Sequence, residues 1–166
     1  MDNFFMKEAL KEAKKSLLEN EFPVGCVITL NNIIIARGRR KKSRGKNPSE
    51  IDHAEINAIK LLNDQNPQMP KKDMVLYSTM EPCMMCFSAI MLCNFKKIVY
   101  AYEDVMGGGL SMLSFEALPV FYRERTPVII SDILREESLE LFKKFFSNPD
   151  NIYWKDSPLA KYTLSF

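Results

Sequence analysis

The chain's single histidine lies in His53-Ala54-Glu55, and a proline-led cysteine pair, Pro82-Cys83-Met84-Met85-Cys86, follows thirty residues later. A fold that uses both stretches must bring two distant helix starts into contact. The spacing predicts His53 on the first turn of one helix, with Cys83 and Cys86 sharing a face of the first turn of another. Helix N-termini favour negative charge, so the cysteines stand where thiolates are stabilised, and thiolates are what zinc binds. Two sulfurs and one imidazole leave one tetrahedral position open, as a catalytic zinc site requires, and one Zn2+ per chain is expected. Cys26, within an apolar strand, and Cys93, two turns beyond Cys86, read as core residues. Glu55 is near enough to a water on the metal to take its proton without ligating, and to deliver it to a ring nitrogen and a departing amine.

Taken singly, each of these residues has a structural reading. Glu55 can be the capping-box partner of Asp52, Pro82 a helix starter, and the two cysteines small apolar fillers of a Met-rich helix. Core packing, however, gives no reason to join the sole histidine, a nearby glutamate and a proline-led cysteine pair on two separate helix starts.

Apolar periodicity supplies the rest of the framework. Phe5, Met6, Ala9, Leu10, Ala13 and Leu17 predict an amphipathic helix over residues 3 to 19. Val24 to Leu30 and Ile33 to Arg37 predict an antiparallel pair joined by Asn31-Asn32, which tolerates the positive φ of a tight turn. A helix from Asp52 to about Leu62 follows, then a break around Pro67 and Pro70, and a strand over Met74 to Thr79. A helix from Pro82 to about Cys93 and a strand over Lys97 to Tyr102 complete a parallel crossover. Gly107 to Gly109 breaks the chain, Pro127 to Ser131 is a short strand, and Arg135 to Phe146 is a helix. This order predicts an α/β fold: a three-layer α-β-α sandwich with a five-stranded mixed sheet, as one domain over residues 1 to 166 with 148 to 166 as a C-terminal lid.

At 166 residues, 46% apolar and 27% charged, the chain reads as one globular domain. No apolar stretch approaches the roughly 18 residues of a membrane span. Met1 to Ala9 carries Asp2 and Glu8 and does not resemble a secretory signal, so a cytoplasmic address and no membrane partner are expected. Four cysteines are too few for a disulfide scaffold. The net charge of +2 conceals a local imbalance. Arg37, Arg39, Arg40, Lys41, Lys42, Arg44 and Lys46 lie together without an acid, and the remainder of the chain is net negative. Residues 83 to 93 are apolar almost all round, which predicts a homodimer that buries this helix.

Three stretches carry a resemblance to a known family: Phe22-Pro23-Val24-Gly25-Cys26, His53-Ala54-Glu55, and Ser78-Thr79-Met80-Glu81-Pro82-Cys83-Met84-Met85-Cys86. Over residues 4 to about 147 the chain resembles the cytidine deaminase-like superfamily, and within it the branch of tRNA adenosine, guanine and fungal cytosine deaminases. The resemblance implies zinc-dependent hydrolytic deamination with a substrate pocket that includes Ala54, Glu81 and Met106, the last where an aromatic lid residue often sits. Arg40 stands where family members carry a base-binding Asn, and the loop to His53 is slightly longer than usual, which leaves Asn47 as a substitute. The tail resembles that of fungal cytosine deaminases, in which Tyr153 or Trp154 would stack on the base and Asp156 would bond its edge. The same aromatics can equally anchor a surface tail to the core.

A closed pocket points to a small-molecule base or nucleoside, cytosine-like or guanine-like. The alternative is a wobble adenosine of tRNA, its phosphates met by residues 37 to 46. A third reading is a non-catalytic, zinc-bound partner subunit.

Overall fold

The computed structural model describes residues 1–166 apart from the side chains of Ser111 and Met112. Helix α1 spans Asp2–Leu18 and buries Phe5, Met6, Ala9, Leu10 and Ala13, the stripe that the periodicity selects. Strands β1 (Gly25–Leu30) and β2 (Ile33–Arg39) form the hairpin. Asn31 (φ 50) and Asn32 (φ 63) are both left-handed, which matches the right-handed twist of the paired strands. Helix α2 (Ala54–Gln65) leads to β3 (Val75–Met80), helix α3 (Met84–Leu92) and β4 (Lys97–Tyr102). Two four-residue helices follow, α4 (Gly109–Met112) and α5 (Val120–Arg123), with a 3-10 turn over Phe115–Ala117 between them. Strand β5 (Val128–Ile130), helix α6 (Arg135–Phe146) and helix α7 (Pro158–Thr163) complete the order.

The strands assemble as β2-β1-β3-β4-β5. β1 is antiparallel to both β2 and β3, and β3, β4 and β5 run parallel, giving a mixed sheet. The two-residue alternation of a strand divides the sheet into two faces. Val27, Tyr77, Val99 and Ala101 pack with α1, while Cys26, Ile28, Leu76 and Ile98 share the second core with residues of α2 and α3. α6 reaches both clusters, through Leu141 on one side and Leu139 and Phe142 on the other. The result is the α/β sandwich expected.

Two glycines set how close the helices lie. A Cβ on Gly25 would stand 2.1 Å from the Ala9 carbonyl oxygen, and one on Gly38 would stand 2.1 Å from that of Ala54 and 2.6 Å from the Ala58 nitrogen. Only a missing side chain lets α1 rest on β1 and α2 on β2 at this distance.

Local expectations require correction at both site helices. Asp52 does not cap α2: His53 is its N-cap, with φ −68 and ψ 155 and no side-chain cap bond, and the Asp52 carboxylate pairs instead with Lys42 at 3.2 Å. Pro82 lies outside α3, whose N-cap is Cys83. Both shifts move a metal-ligand candidate from inside a helix to its cap. Cys26 is fully buried as expected, but Cys93 is only half-buried at the C-cap of α3. Among the described residues no helix is long and apolar enough to cross a membrane.

Candidate active site

The C-terminal end of β3 carries the chain through Glu81 and Pro82 directly into the cap of α3, while α2 starts beside it on the same face. His53 Nδ1 consequently lies 3.5 Å from the sulfur of Cys83 and 3.5 Å from that of Cys86. Zinc–sulfur bonds of about 2.3 Å and a zinc–nitrogen bond of about 2.0 Å, set at a tetrahedral angle, require a nitrogen–sulfur separation of about 3.5 Å. The three donor atoms lie within 4.8 Å of one another, so the residues present fit a zinc ion.

Electrostatics prepare the sulfurs for that role. A hydrogen bond from the Cys86 thiol holds the Cys83 thiol down to about 4 against its burial, with further help from His53 and the Cys86 amide. Cys86 moves the other way, raised by its partner's thiolate and by burial. Without a cation the pair holds one negative charge; a divalent ion stabilises the second thiolate. Burial depresses His53, and the hydrogen bond to Cys83 together with the Glu55 charge more than offsets it.

Glu55 is buried on the first turn of α2. Ser78 donates to its Oε1 at 2.9 Å, and its Oε2 lies 3.5 Å from the Cys86 sulfur. Burial is the largest influence on its carboxyl and pushes it above the ordinary glutamate value. A carboxyl shifted upward beside a metal site is suited to taking and returning a proton near neutral pH.

A cavity of about 210 Å³ opens onto these groups. That is smaller than the roughly 300–1,000 Å³ of pockets for drug-sized ligands and suits a single base. Arg40, Ala54, Glu81, Met106, Tyr153 and Trp154 all line it, together with His53, Glu55 and Cys83. Asp156 is exposed and outside the lining, as is Asn47. Glu81 turns its carboxylate to the following loop, accepting from the Asp104 amide at 3.1 Å through Oε2 and from the Leu110 amide at 3.1 Å through Oε1. Gly108 passes so near that a Cβ there would fall 2.5 Å from Glu81 Oε1.

Glu50 and Asp104 also line the cavity and escaped the sequence reading. Asp104 had a faint signal, a carboxylate just past a strand end and before a glycine run; its Oδ1 accepts from the amides of Met106 and Gly107, both at 3.0 Å. Glu50 had none. It receives the Tyr153 hydroxyl at 2.8 Å and so ties the tail to the loop before His53. Phe22 packs edge-on to Tyr153 at 5.5 Å, and the buried Leu159 of α7 backs the same wall.

Known proteins agree with this geometry. A family model described as the cytidine and deoxycytidylate deaminase zinc-binding region matches residues 1–102. The tRNA-specific adenosine deaminase of Streptococcus pyogenes serotype M1 is 40% identical over 110 residues, 66% of this chain and 63% of that protein. The chain thus spans less than two thirds of that relative's length. The tRNA-specific adenosine deaminase of Bacillus subtilis (strain 168) is 32% identical over 148 residues, 87% of this chain and 88% of that protein. A solved structure from studies of A-to-I editing by tRNA:A34 deaminases superposes with a TM-score of 0.73 at 31% identity, covering 83% of this chain and 98% of that one. The stretch matched by the family model ends with the last residue of β4 and takes in His53, Glu55, Cys83 and Cys86 with the elements that carry them, so the chain belongs to the cytidine and deoxycytidylate deaminase zinc-binding family.

Proposed function

We propose that the chain is a zinc-dependent hydrolytic deaminase whose substrate is an adenosine of tRNA. The reaction rests on one observation above all: a buried, proton-ready Glu55 beside three donors spaced for zinc. A bound zinc ion supplies Lewis acidity that brings a water's pKa from about 15.7 towards about 7. Glu55, its Oε1 steadied by the Ser78 hydroxyl, takes the water's proton and delivers it to the ring nitrogen next to the attacked carbon. The remaining hydroxyl adds at that carbon; Glu55 then takes the hydroxyl proton and passes it to the exocyclic amine, so that the C–N bond breaks, ammonia leaves and a carbonyl is formed. One water is consumed and one ammonia released for each amine converted to a carbonyl.

The tRNA assignment is supported by the relatives, which are tRNA-specific adenosine deaminases. It also accords with the loop before His53. Arg37, Arg39, Arg40 and Lys42 are paired with Glu8, Glu19, Glu50 and Asp52, but Lys41, Arg44 and Lys46 are exposed and without an ion pair among the described residues. Three such cations can meet phosphates. A second reading, a free base or nucleoside, is favoured by the tail, where Tyr153 and Trp154 wall in a cavity sized for one base. An ammonia-release screen over an anticodon stem-loop, nucleosides and free bases separates the two. Turnover of the stem-loop alone is expected, and turnover of a free base alone would overturn the tRNA assignment. Glu55→Gln is expected to lower kcat about 10²- to 10⁴-fold with zinc content unchanged. Unchanged turnover would instead point to a non-catalytic zinc-bound subunit.

The reading includes a homodimer. Met84 and Leu92 on α3 are 54% and 56% exposed on a helix otherwise buried through Cys86, Phe87, Ile90 and Met91, and a second copy covers that face.

A further inference from the structure

Arg40 follows β2 directly and is among the most deeply buried large side chains of the protein, with 2% of its surface exposed. Its Nη2 donates to Glu50 Oε2 and to the Tyr153 hydroxyl, both at 3.2 Å. Its Nη1 is buried and has no hydrogen-bond partner among the described residues. A buried guanidinium needs a counter-charge and acceptors for its donors, and leaving either incomplete is costly. Among the described residues the only ion pair of Arg40 is with Glu50, through a single long contact to a side chain that is 62% exposed. Of the described lysines and arginines, Arg40 alone lines the cavity that holds His53 and Glu55.

We infer that Arg40 is the receptor for a phosphate ester carried by the substrate, so that the cavity takes a nucleotide in preference to a nucleoside or a free base. The inference rests on the deaminase reading, because the substrate must occupy this cavity. The guanidinium fork matches a two-oxygen anion, and one arm of it is unused while the other is held weakly. A phosphate that replaces Glu50 engages Nη1 and Nη2 together and removes the unsatisfied donor. A neutral acceptor on a base would leave the buried charge dependent on a solvated carboxylate. Elsewhere the lining repels a phosphate: Glu55, Glu81 and Asp104 are carboxyls, the last two already engaged by loop amides. The Tyr153 hydroxyl bonds both Arg40 and Glu50, so exchange of Glu50 for phosphate also changes the hold on the tail. The phosphate can belong to a mononucleotide or to the backbone flanking a base in RNA; the chemistry at Arg40 is the same.

Trp154 is the only tryptophan and lines the same cavity, so its fluorescence reports occupancy without turnover. The zinc-loaded full chain is titrated with inorganic phosphate, adenosine, adenosine 5′-monophosphate and an anticodon stem-loop. Inorganic phosphate is expected to shift the emission saturably, and the phosphorylated ligand to bind at least about tenfold more tightly than adenosine, the scale of a charge-assisted hydrogen bond. Arg40→Gln is expected to erase that advantage and Arg40→Lys to keep part of it. Glu50→Gln alters an exposed side chain and keeps the test open if Arg40 variants fail to fold; it should tighten phosphate binding severalfold. An Arg40-dependent gain confined to the stem-loop assigns the phosphate to RNA, and a gain with the mononucleotide assigns it to a small molecule. Equal affinity for adenosine and its monophosphate, with stem-loop binding unaltered by Arg40→Gln, would overturn the inference, as would unchanged or weaker phosphate binding by Glu50→Gln. Ammonia release by the same preparations tests the deaminase reading separately.

Discussion

At the scale of single residues, the metal site was legible because its chemistry leaves little freedom. Only thiolate, imidazole and carboxylate can do this work, the chain has one histidine, and the cysteine spacing fits one helix start. The residues that shape the cavity were far less visible. The resemblance implies a substrate role for Glu81, which lines the cavity, and its carboxylate also accepts from the amides of Asp104 and Leu110, more than twenty positions onward. Nothing in a sequence marks where a loop will pass. Glu81→Ala removes the acceptor from both amides, and an unsatisfied buried donor costs about 1–3 kcal/mol. Thermal unfolding should show a loss of that order for each amide, while Glu81→Gln, which keeps one acceptor oxygen, should lose less.

At the scale of elements, the long periodic segments were placed within a few residues, because each buries a stripe with the right repeat. Failures occurred where a few residues decide. The capping box expected at Asp52 is absent because Lys42 recruits that carboxylate and Glu55 turns to Ser78. Helices α4 and α5 have four residues each, too few to show a period. α7 did carry a signal, Ser157 before Pro158, and the Ser157 hydroxyl does accept the Ala160 amide as an N-cap. The seating of α2 on β2 yields a prediction. Gly38→Ala drives a methyl into the backbone at Ala54 and Ala58, an overpacking that costs at least about 1–3 kcal/mol. Because α2 positions His53 and Glu55, zinc retention and turnover should fall together with the melting temperature; a variant that melts normally would show that α2 can shift without harm.

The junction of β4, α6 and α7 has a defined acid response. Burial alone would raise the Glu103 carboxyl, but hydrogen bonds from Arg135 and from the Tyr162 hydroxyl, the latter at 2.6 Å, outweigh it and hold it below the ordinary value. A depressed carboxyl contributes stability that is present above its unfolded pKa of about 4.3 and lost as pH falls through the lower folded value. Denaturant titrations from pH 7 to pH 3 should therefore show a decline that begins near pH 4 and becomes shallower in Glu103→Gln. An identical acid limb in that variant would remove Glu103 from the account.

At the scale of the whole molecule, the exposed face of α3 is the feature a single chain leaves unfinished. Leu92→Glu places a charge on it without touching Cys83 or Cys86, so light scattering should give twice the chain mass for the native protein and the chain mass for the variant. A native protein that remains monomeric at micromolar concentration would refute the dimer. His53 and Cys83 sit on helix caps and Cys86 in the first turn of α3, whereas Arg40, Glu50, Tyr153 and Trp154 sit on a loop and a tail joined by hydrogen bonds from Arg40 and Tyr153 to Glu50. Such a division makes the scaffold evolvable. Diversification confined to that loop and tail can retarget the enzyme to another amine while its reactive core is inherited intact.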